Sequence, residues 1–525
     1  MVGVIEKAYN DVPYPSDAFT VCHPNRLATV ATLLGLDPAP PDRCRVLELG
    51  CASGGNLIPM AFALPESEFV GVDLAARQVA EGQQLAQTLG LRNVRLVHRN
   101  LLDLGEDLGR FDYVIAHGVY SWVPPEVREK ILALCKALLR PHGVGYISYN
   151  LFPGYNMFQM VRGMMLFHIR GIDDPLERVA GARSFMELLA ETLPGDDGYA
   201  AFIKSYVEIR LTPGAKRYPG EAGLLHDELA SINQPFYFRE FAEAAAGHGL
   251  QFLGESRFDT MFPKNATPEM TEALARMAGS IVDYEQYLDF LSNRGFRESL
   301  VCHADAPVSR QLRPERLQHV WVSTSARPAE AEFDVAAPGL ARFEAIEGAA
   351  FSSDHPLTKA AMLHLSRIAP RPCQMADLPA AARALLGVEP PPPGQLDEDA
   401  ALLAANLTRG YSYSPTLVDF AVWNPPVTHD VSERPAVTAL SRLQARMGRT
   451  SITTLRNERA GLSLADTPVV SLLDGTRTLD EVLDILINAR GQAEANPPGS
   501  QGRLELADAL RDLIDGFALA GLLIA

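Results

Sequence analysis

The sequence predicts an α/β protein built on a seven-stranded sheet whose strands are joined by crossover helices, with a helical insertion and a smaller α+β domain towards its C-terminal end. Three observations carry that prediction. Short β-branched runs alternate with helical stretches from Arg45 to about Asn150, strand signals thin out from Pro153 to roughly Asn233, and two late segments have the spacing of helix-turn-helix packing.

Five strands come first: "CRVLEL", "EFVGVD", "NVRLVH", "FDYVIAHG" and "GVGYISYN". Between them "GNLIPMAFAL", "ARQVAEGQQLAQTLG" and "PPEVREKILALCKALLRPHG" read as helices, the last opening on proline and closing with His-Gly at its C-cap. Turn residues at Pro194 to Asp197 and at Pro219-Gly220 punctuate the helical passage that follows. Sheet pattern returns in "PFYFREFAEAAAGHGLQFLGES", where Phe238 to Ala246 is an amphipathic helix ended by Gly249 and "LQFLGE" is a strand; "FRESLVCH", Phe296 to His303, makes the seventh. Beyond it, helices are expected at His355 to Ile368 and Met375 to Leu386, then a proline run at Pro390 to Pro393, then strand-like alternation in "GYSYSPTLVDFAVW". "LLDGTRTLDEVLDILI" and "LELADALRDLIDGFALAGLLI" complete a winged-helix-like region. No internal repeat of fixed period is evident.

The expected division is 1–155, a core around the glycine-rich turn; 156–233, a helical insertion with a regulatory or substrate role; 234–310, completion of the sheet; 311–338, a linker; and 339–525, the winged-helix-like domain. A chain of 525 residues with 47% apolar content has material for about three buried cores. Its six cysteines form no C-x-x-C pair, which favours reduced thiols in a cytoplasm. No run approaches the roughly 20 apolar residues of a membrane helix, so a soluble chain is expected. The formal charge of -17 argues against nucleic acid, and the winged-helix-like region carries no basic stripe, which favours protein contact instead.

The stretch "RVLELGCASGGNLIPMA", Arg45 to Ala61, runs from a strand through a glycine-rich turn into a helix, where small residues let backbone approach a ligand. A dinucleotide wants G-x-G-x-x-G, and Gly50, Ala52 and Gly55 approximate it; S-adenosylmethionine (SAM) wants an acid two residues before the first glycine, then small residues at alternate positions, and Glu48, Gly50, Ala52 and Gly54 supply them. Asp73, ending "FVGVDL", suits the ribose of either ligand. "FDYVIAHGVYSWVP" is more telling. Its His117, Tyr120 and Trp122 would rim the cleft outside the strand ends, as methyl transfer to an amine requires: aromatic faces attract a cationic nitrogen and exclude water.

"VLELGCASGGNLIP", "GVDL", "FDYVIAHGVYSWVP" and "YISYNLFPGYN", preceded by "YNDVPYPSDAF" and "HPNRLATVATLLGL", resemble the class I SAM-dependent methyltransferases of the rickettsial outer-membrane-protein lysine methyltransferase type. "YEQYLDFLSNRGFRESLVCH" is similar to the signature that closes their methyltransferase regulatory domain. The resemblance implies a Rossmann-like methyltransferase sheet, SAM as cofactor, a cytoplasmic and dimeric enzyme, and protein lysine as acceptor. Carried over by position, Glu48, Gly50, Ala52 and Gly54, with Asn56 beside them, match the contacts of the methionine moiety, and Asp73, with Leu74, those of the ribose. Where the class often has an Asp for the adenine amine, this chain has Asn100, whose amide oxygen can accept, while Leu101 offers a backbone N–H. His117 belongs with the cofactor site, and Tyr9 and Tyr14 lie in a segment able to fold over it.

An attacking nitrogen needs alignment and a free lone pair, because the sulfonium is already activated. Free lysine, with a pKa of about 10.4, must therefore be desolvated or lose its proton to water, and no base is obligatory. Tyr120, Trp122, Tyr149 and Asn150 are the candidates for orienting the amine. Cys22-His23 and Cys302-His303 do not read as a metal site, since no second pair stands at ligand spacing, and "MVRGMMLFHI" reads as a buried helix face. Two rivals to a protein-lysine methyltransferase are a methyltransferase acting on a small molecule and a SAM-binding regulator without turnover.

Overall fold

A computed structural model describes the chain except for residues 1–5, 7–8, 196, 215–219, 265–266, 312, 331–333, 389–393, 495–499 and 525. Strands β1 (Arg45–Leu49), β2 (Glu68–Asp73), β3 (Val94–His98), β4 (Phe111–Ala116), β5 (Leu139–Asn150), β6 (Leu250–Glu255) and β7 (Phe296–His303) form one seven-stranded sheet in the order β3-β2-β1-β4-β5-β7-β6. Adjacent strands from β3 to β5 pair in parallel, whereas β7 runs antiparallel to both β5 and β6. Because the chain leaves β1 in one direction and later returns to its other side at β4, the carboxyl ends of β1, β2 and β4 flank a crevice at the reversal point, where α/β sheets bind ligands.

All seven expected strands form, and the helices Leu57–Ala63, Ala76–Thr88 and Pro125–Leu138 fill the connections. One boundary is corrected. The helix after β4 stops at Leu138 without a His-Gly cap, and β5 begins at Leu139, four residues before the expected "GVGYISYN". Leu139 is buried and pairs with Phe111, and the Arg140 guanidinium donates to Asp112 at 2.8 and 2.9 Å, so packing and charge draw "LRPHG" into the sheet.

After β5 come the helices Asn156–His168, Pro175–Thr192, Gly198–Tyr206 and Gly220–His226, which enclose an apolar cluster of their own. Val161 and Met165 of "MVRGMMLFHI" point into that cluster while Phe167 is exposed, so the segment is amphipathic. The expected turns at Asp196 and Pro219 involve residues outside those described.

The apolar core of the sheet continues into Val320, Val322, Phe343, Leu357, Leu365 and Phe420. The segment "GYSYSPTLVDFAVW" is corrected: Gly410–Tyr413 is the last turn of the helix Gln395–Tyr413, and only Asp419–Ala421 is strand, antiparallel to Trp321–Ser323. Burial of Tyr411, whose hydroxyl accepts from Arg26 at 2.7 Å, overrides the alternation, and Pro415 obliges Ser414 to leave the helix. The proline run at 390–393 lies outside the described residues. Towards the C-terminal end, the helices Ala439–Arg446, Thr467–Leu472, Leu479–Glu494 and Ser500–Leu519 surround a further apolar cluster, with a hairpin of Ser451–Thr453 and Arg459–Gly461 as a wing. No helix among the described residues is long and apolar enough to cross a membrane.

Candidate active site

The apolar residues of β1 are buried and deliver the chain into a turn held from both sides. The Gly50 and Cys51 N–H groups donate to the Val72 carbonyl at 2.8 and 3.2 Å. Gly50 has φ +77° and stands so close to β4's loop that a Cβ would meet the Val119 side chain at 2.5 Å. Ala52 is left-handed although it carries a Cβ, φ +49°, a conformation that costs about 1 kcal/mol or more in a non-glycine residue. What holds it there is Asp73: Oδ2 accepts from the Ala52 N–H at 2.8 Å, while Oδ1 accepts from the Ala75 N–H at 2.8 Å. Burial raises the Asp73 carboxyl above its usual range, and these N–H donors pull it back.

Beneath the turn lies Glu48, buried to 4% exposure. Its Oε1 accepts from Asn56 Nδ2 at 2.8 Å, and its Oε2 is buried with no hydrogen-bond partner among the described residues. Burial pushes this carboxyl up to about 8; the Asn56 bond opposes the rise and the Asp73 charge adds to it. An orphaned carboxylate oxygen under a turn of small residues fits the cationic amino-acid end of SAM. Asn56 does more than flank the turn: Oδ1 accepts from the Phe19 N–H at 3.0 Å. The N-terminal segment thus straps the turn, and Ser16 Oγ accepts from the Gly55 N–H at 2.8 Å.

At the tip of β4, His117 Nδ1 pairs with the Tyr146 hydroxyl at 2.9 Å and its ring lies 4.0 Å from that of Phe19. Burial lowers its pKa to about 4, so the imidazole is neutral at physiological pH. Gly118 N donates to Ser148 Oγ and Asn150 N to Ser121 Oγ, both at 2.8 Å, which fastens the loop to alternate residues of β5. The expected amine-orienting set is divided by that alternation. Asn150 reaches Asn233, with Nδ2 to Oδ1 at 2.9 Å, whereas Tyr149 is fully buried, stacked 4.3 Å from Phe241 and bonded to Ser299 Oγ at 2.9 Å. Tyr149 is therefore not at a cleft mouth. Tyr120 packs with it against Phe236 and Phe241, and Trp122 Nε1 is buried with no hydrogen-bond partner among the described residues.

Asn100 caps the turn Leu101–Asp103, its Oδ1 accepting from the Leu102 N–H at 3.0 Å, so the oxygen expected to meet adenine is already engaged. The Leu74 carbonyl pairs with His98 Nε2 at 3.0 Å. Tyr14 lies over this side: its carbonyl accepts from Gln78 Nε2 at 2.9 Å, and its hydroxyl reaches both oxygens of Asp227 at 3.3 Å. Tyr9 stacks on His226 at 4.4 Å. Burial beside Glu228 pushes Asp227 up to about 7, and Glu228 is paired with Arg210. Asn233 Nδ2 then ties the Asp227 carbonyl to the Tyr155 hydroxyl, each at 2.9 Å. Sequence reasoning missed Phe19, Asp227, Glu228 and Asn233. The triplet His226-Asp227-Glu228 was the available signal, but nothing in its spacing ties it to a turn so distant in the chain.

Three family models match: "Methyltransferase domain" over 46–143, "Predicted methyltransferase regulatory domain" over 221–303, and "PKMT, C-terminal winged helix domain" over 433–522. An uncharacterized protein of Rickettsia prowazekii (strain Madrid E) is 36% identical over 247 residues, 47% of this chain and 96% of that protein. Another from the same organism is 39% identical over 319 residues, 59% of this chain, and the match spans only 55% of its own length. The solved structure of PKMT2 from Rickettsia typhi in complex with AdoHcy superposes with a TM-score of 0.84 at 27% identity, covering 98% of this chain and 100% of that one. With Glu48, the left-handed turn and Asp73 at the reversal point of such a sheet, the chain belongs to the class I SAM-dependent methyltransferases that carry a methyltransferase regulatory domain and a C-terminal winged helix.

Proposed function

We propose that this methyltransferase acts on the side-chain amine of protein lysines. The observation that carries the reading is the Tyr14–Asp227 pair, with Tyr9 and His226 stacked beside it, on the segment that straps the glycine-rich turn. A carboxylate rimmed by aromatic faces attracts a cationic amine. Asp227, pushed up to about 7, is also matched to receiving the proton that the amine sheds before attack. Likeness to rickettsial PKMT2 over almost the whole chain supports the same acceptor. When bound, SAM supplies a methyl group already activated by its sulfonium. Glu48, Gly50, Ala52 and Gly54 would hold its amino-acid end, with Asn56 orienting Glu48 and His117 standing by at the tip of β4; Asp73 and Leu74 would hold its ribose, and Leu101, in the turn that Asn100 caps, its base. Tyr120, Trp122 and Asn150 shape the acceptor side, and Tyr149 supports them from beneath.

The direct test supplies isotopically labelled SAM to a cell lysate with either wild-type chain or Asp73→Ala, followed by mass spectrometry. Label on lysine Nζ with the wild type alone is the expected result. Label confined to small molecules would replace this acceptor with a metabolite, and bound cofactor with no label in any fraction would favour a regulator.

A cytoplasmic homodimer belongs to the same proposal, as does a helical unit at 156–233, supported by its own cluster of Val161, Met165 and Met186. Phe167, Leu176 and Leu188 are 66%, 59% and 55% exposed on these helices, apolar side chains that association with a second copy would cover. Sedimentation velocity at micromolar concentration should give a dimer; a monomer there would remove this part of the reading.

A further inference from the structure

The turn of the C-terminal hairpin, between Ser451–Thr453 and Arg459–Gly461, enters the donor site. Asn457 at its tip is 1% exposed and left-handed, φ +60°. Its Nδ2 donates to Asn56 Oδ1 at 3.0 Å and to the Phe19 carbonyl at 3.3 Å, and its own carbonyl accepts from Thr20 Oγ1 at 3.0 Å. Arg459 pairs with Asp17 at 3.0 Å, so the hairpin grips the same strap that crosses the glycine-rich turn.

The backbone of one residue, Phe19, fixes the direction of the whole chain of amides. The Phe19 N–H donates to Asn56 Oδ1 at 3.0 Å and the Phe19 carbonyl accepts from Asn457, so turning either amide over would set donor against donor or acceptor against acceptor. Asn56 is left to present Nδ2 to Glu48 Oε1 at 2.8 Å and to Cys22 Sγ at 3.1 Å. A donor aimed at Glu48 favours the anion; the reversed amide would favour the neutral acid. The titratable groups that act on Glu48 are Asp73 from β2, Cys51 from the turn and Cys22 from the strap. None carries positive charge, so the amide relay is the feature that steadies the carboxylate.

We propose that Asn457 is a positioning residue for the methyl donor: by seating this hairpin, the C-terminal domain locks Asn56 with its N–H towards Glu48 and so favours the Glu48 anion that meets the donor's cationic end. The proposal rests on the reading of Glu48 as a donor contact.

The test measures SAM affinity by titration calorimetry across pH in the full-length protein, for Asn457→Gly, Glu48→Gln and the double variant. Glycine accepts the left-handed turn without strain, so only the amide is deleted, and Asn457→Asp, which keeps the shape but removes the donor, is the second probe. One hydrogen bond's worth of orientation predicts affinity about fivefold to tenfold weaker at neutral pH for either Asn457 variant. The deficit should shrink as alkali ionises Glu48, because what was lost is the preference for the anion. In Glu48→Gln the further loss from Asn457→Gly should vanish, since both changes cut one chain. A deficit that is constant across pH, or losses that multiply in the double variant, would overturn the relay while leaving the donor site standing. Unchanged affinity in Asn457→Gly, with an unaltered melting temperature, overturns it as well. Unchanged affinity in Glu48→Gln overturns both the relay and the reading of Glu48 beneath it.

Discussion

Asp73→Ala is expected to weaken SAM binding by at least about 100-fold, because the two charge-assisted hydrogen bonds proposed from Asp73 to the ribose would each be worth roughly 1.5–3 kcal/mol. The second cause is inside the protein. Asp73 accepts from the Ala52 N–H at 2.8 Å, and without that acceptor the left-handed backbone of Ala52 loses the hydrogen bond that offsets its strain. Asp73→Asn should therefore be the milder change, about tenfold, since its amide oxygen can serve one N–H even though the charge is gone. Calorimetry on folded protein reads the result. Affinity within a factor of about two of wild type in the alanine variant would remove Asp73 from the ribose site altogether.

Much of this was legible because burial and the two-residue period of strands leave marks in sequence. Val46, Leu47 and Leu49 announce β1, so Glu48 and Gly50 fall at a strand tip whatever the rest of the chain does. Asp73 is equally fixed by the apolar run before it. The period says less about which side of a strand faces a ligand: Tyr149 and Asn150 are neighbours in sequence and lie on opposite faces of β5, one packed under Phe241 and the other bonded towards Asn233. Residues brought in from afar left no local mark. Asp227 meets Tyr14 only because the insertion returns the chain beside the strap, and Asn457 meets Asn56 only because a hairpin of another domain reaches the turn. Gly410 to Tyr413 misled for a different reason, since its alternation of aromatic and small residues is satisfied by one buried helical tyrosine.

The same sheet holds a second ionic feature, and its loss should affect the fold more than the cofactor. Arg297→Met is expected to cost about 3–5 kcal/mol, the usual penalty for stranding one side of a buried ion pair. Arg297 is fully buried on β7; its guanidinium donates to Glu255 at 2.7 Å and to Glu285 and Asp289 at 2.9 Å, and lies 4.0 Å from the centre of the Phe238 ring. Glu255 in turn accepts from Ser299 Oγ at 2.7 Å, so the network reaches Tyr149 and the pairing of β5 with β7. Even with Arg297 present, burial pushes Glu285 up to about 7 and Asp289 up to about 6. Without it both must rise further above their unfolded values, so the variant keeps the stability of these groups only while they are protonated and loses it as pH rises through that range. Urea unfolding should show the deficit small near about pH 5 and large near about pH 8. A deficit equal at both would assign the cost to lost packing over Phe238, a contact that methionine's flexible chain largely restores, and the charge argument would fail.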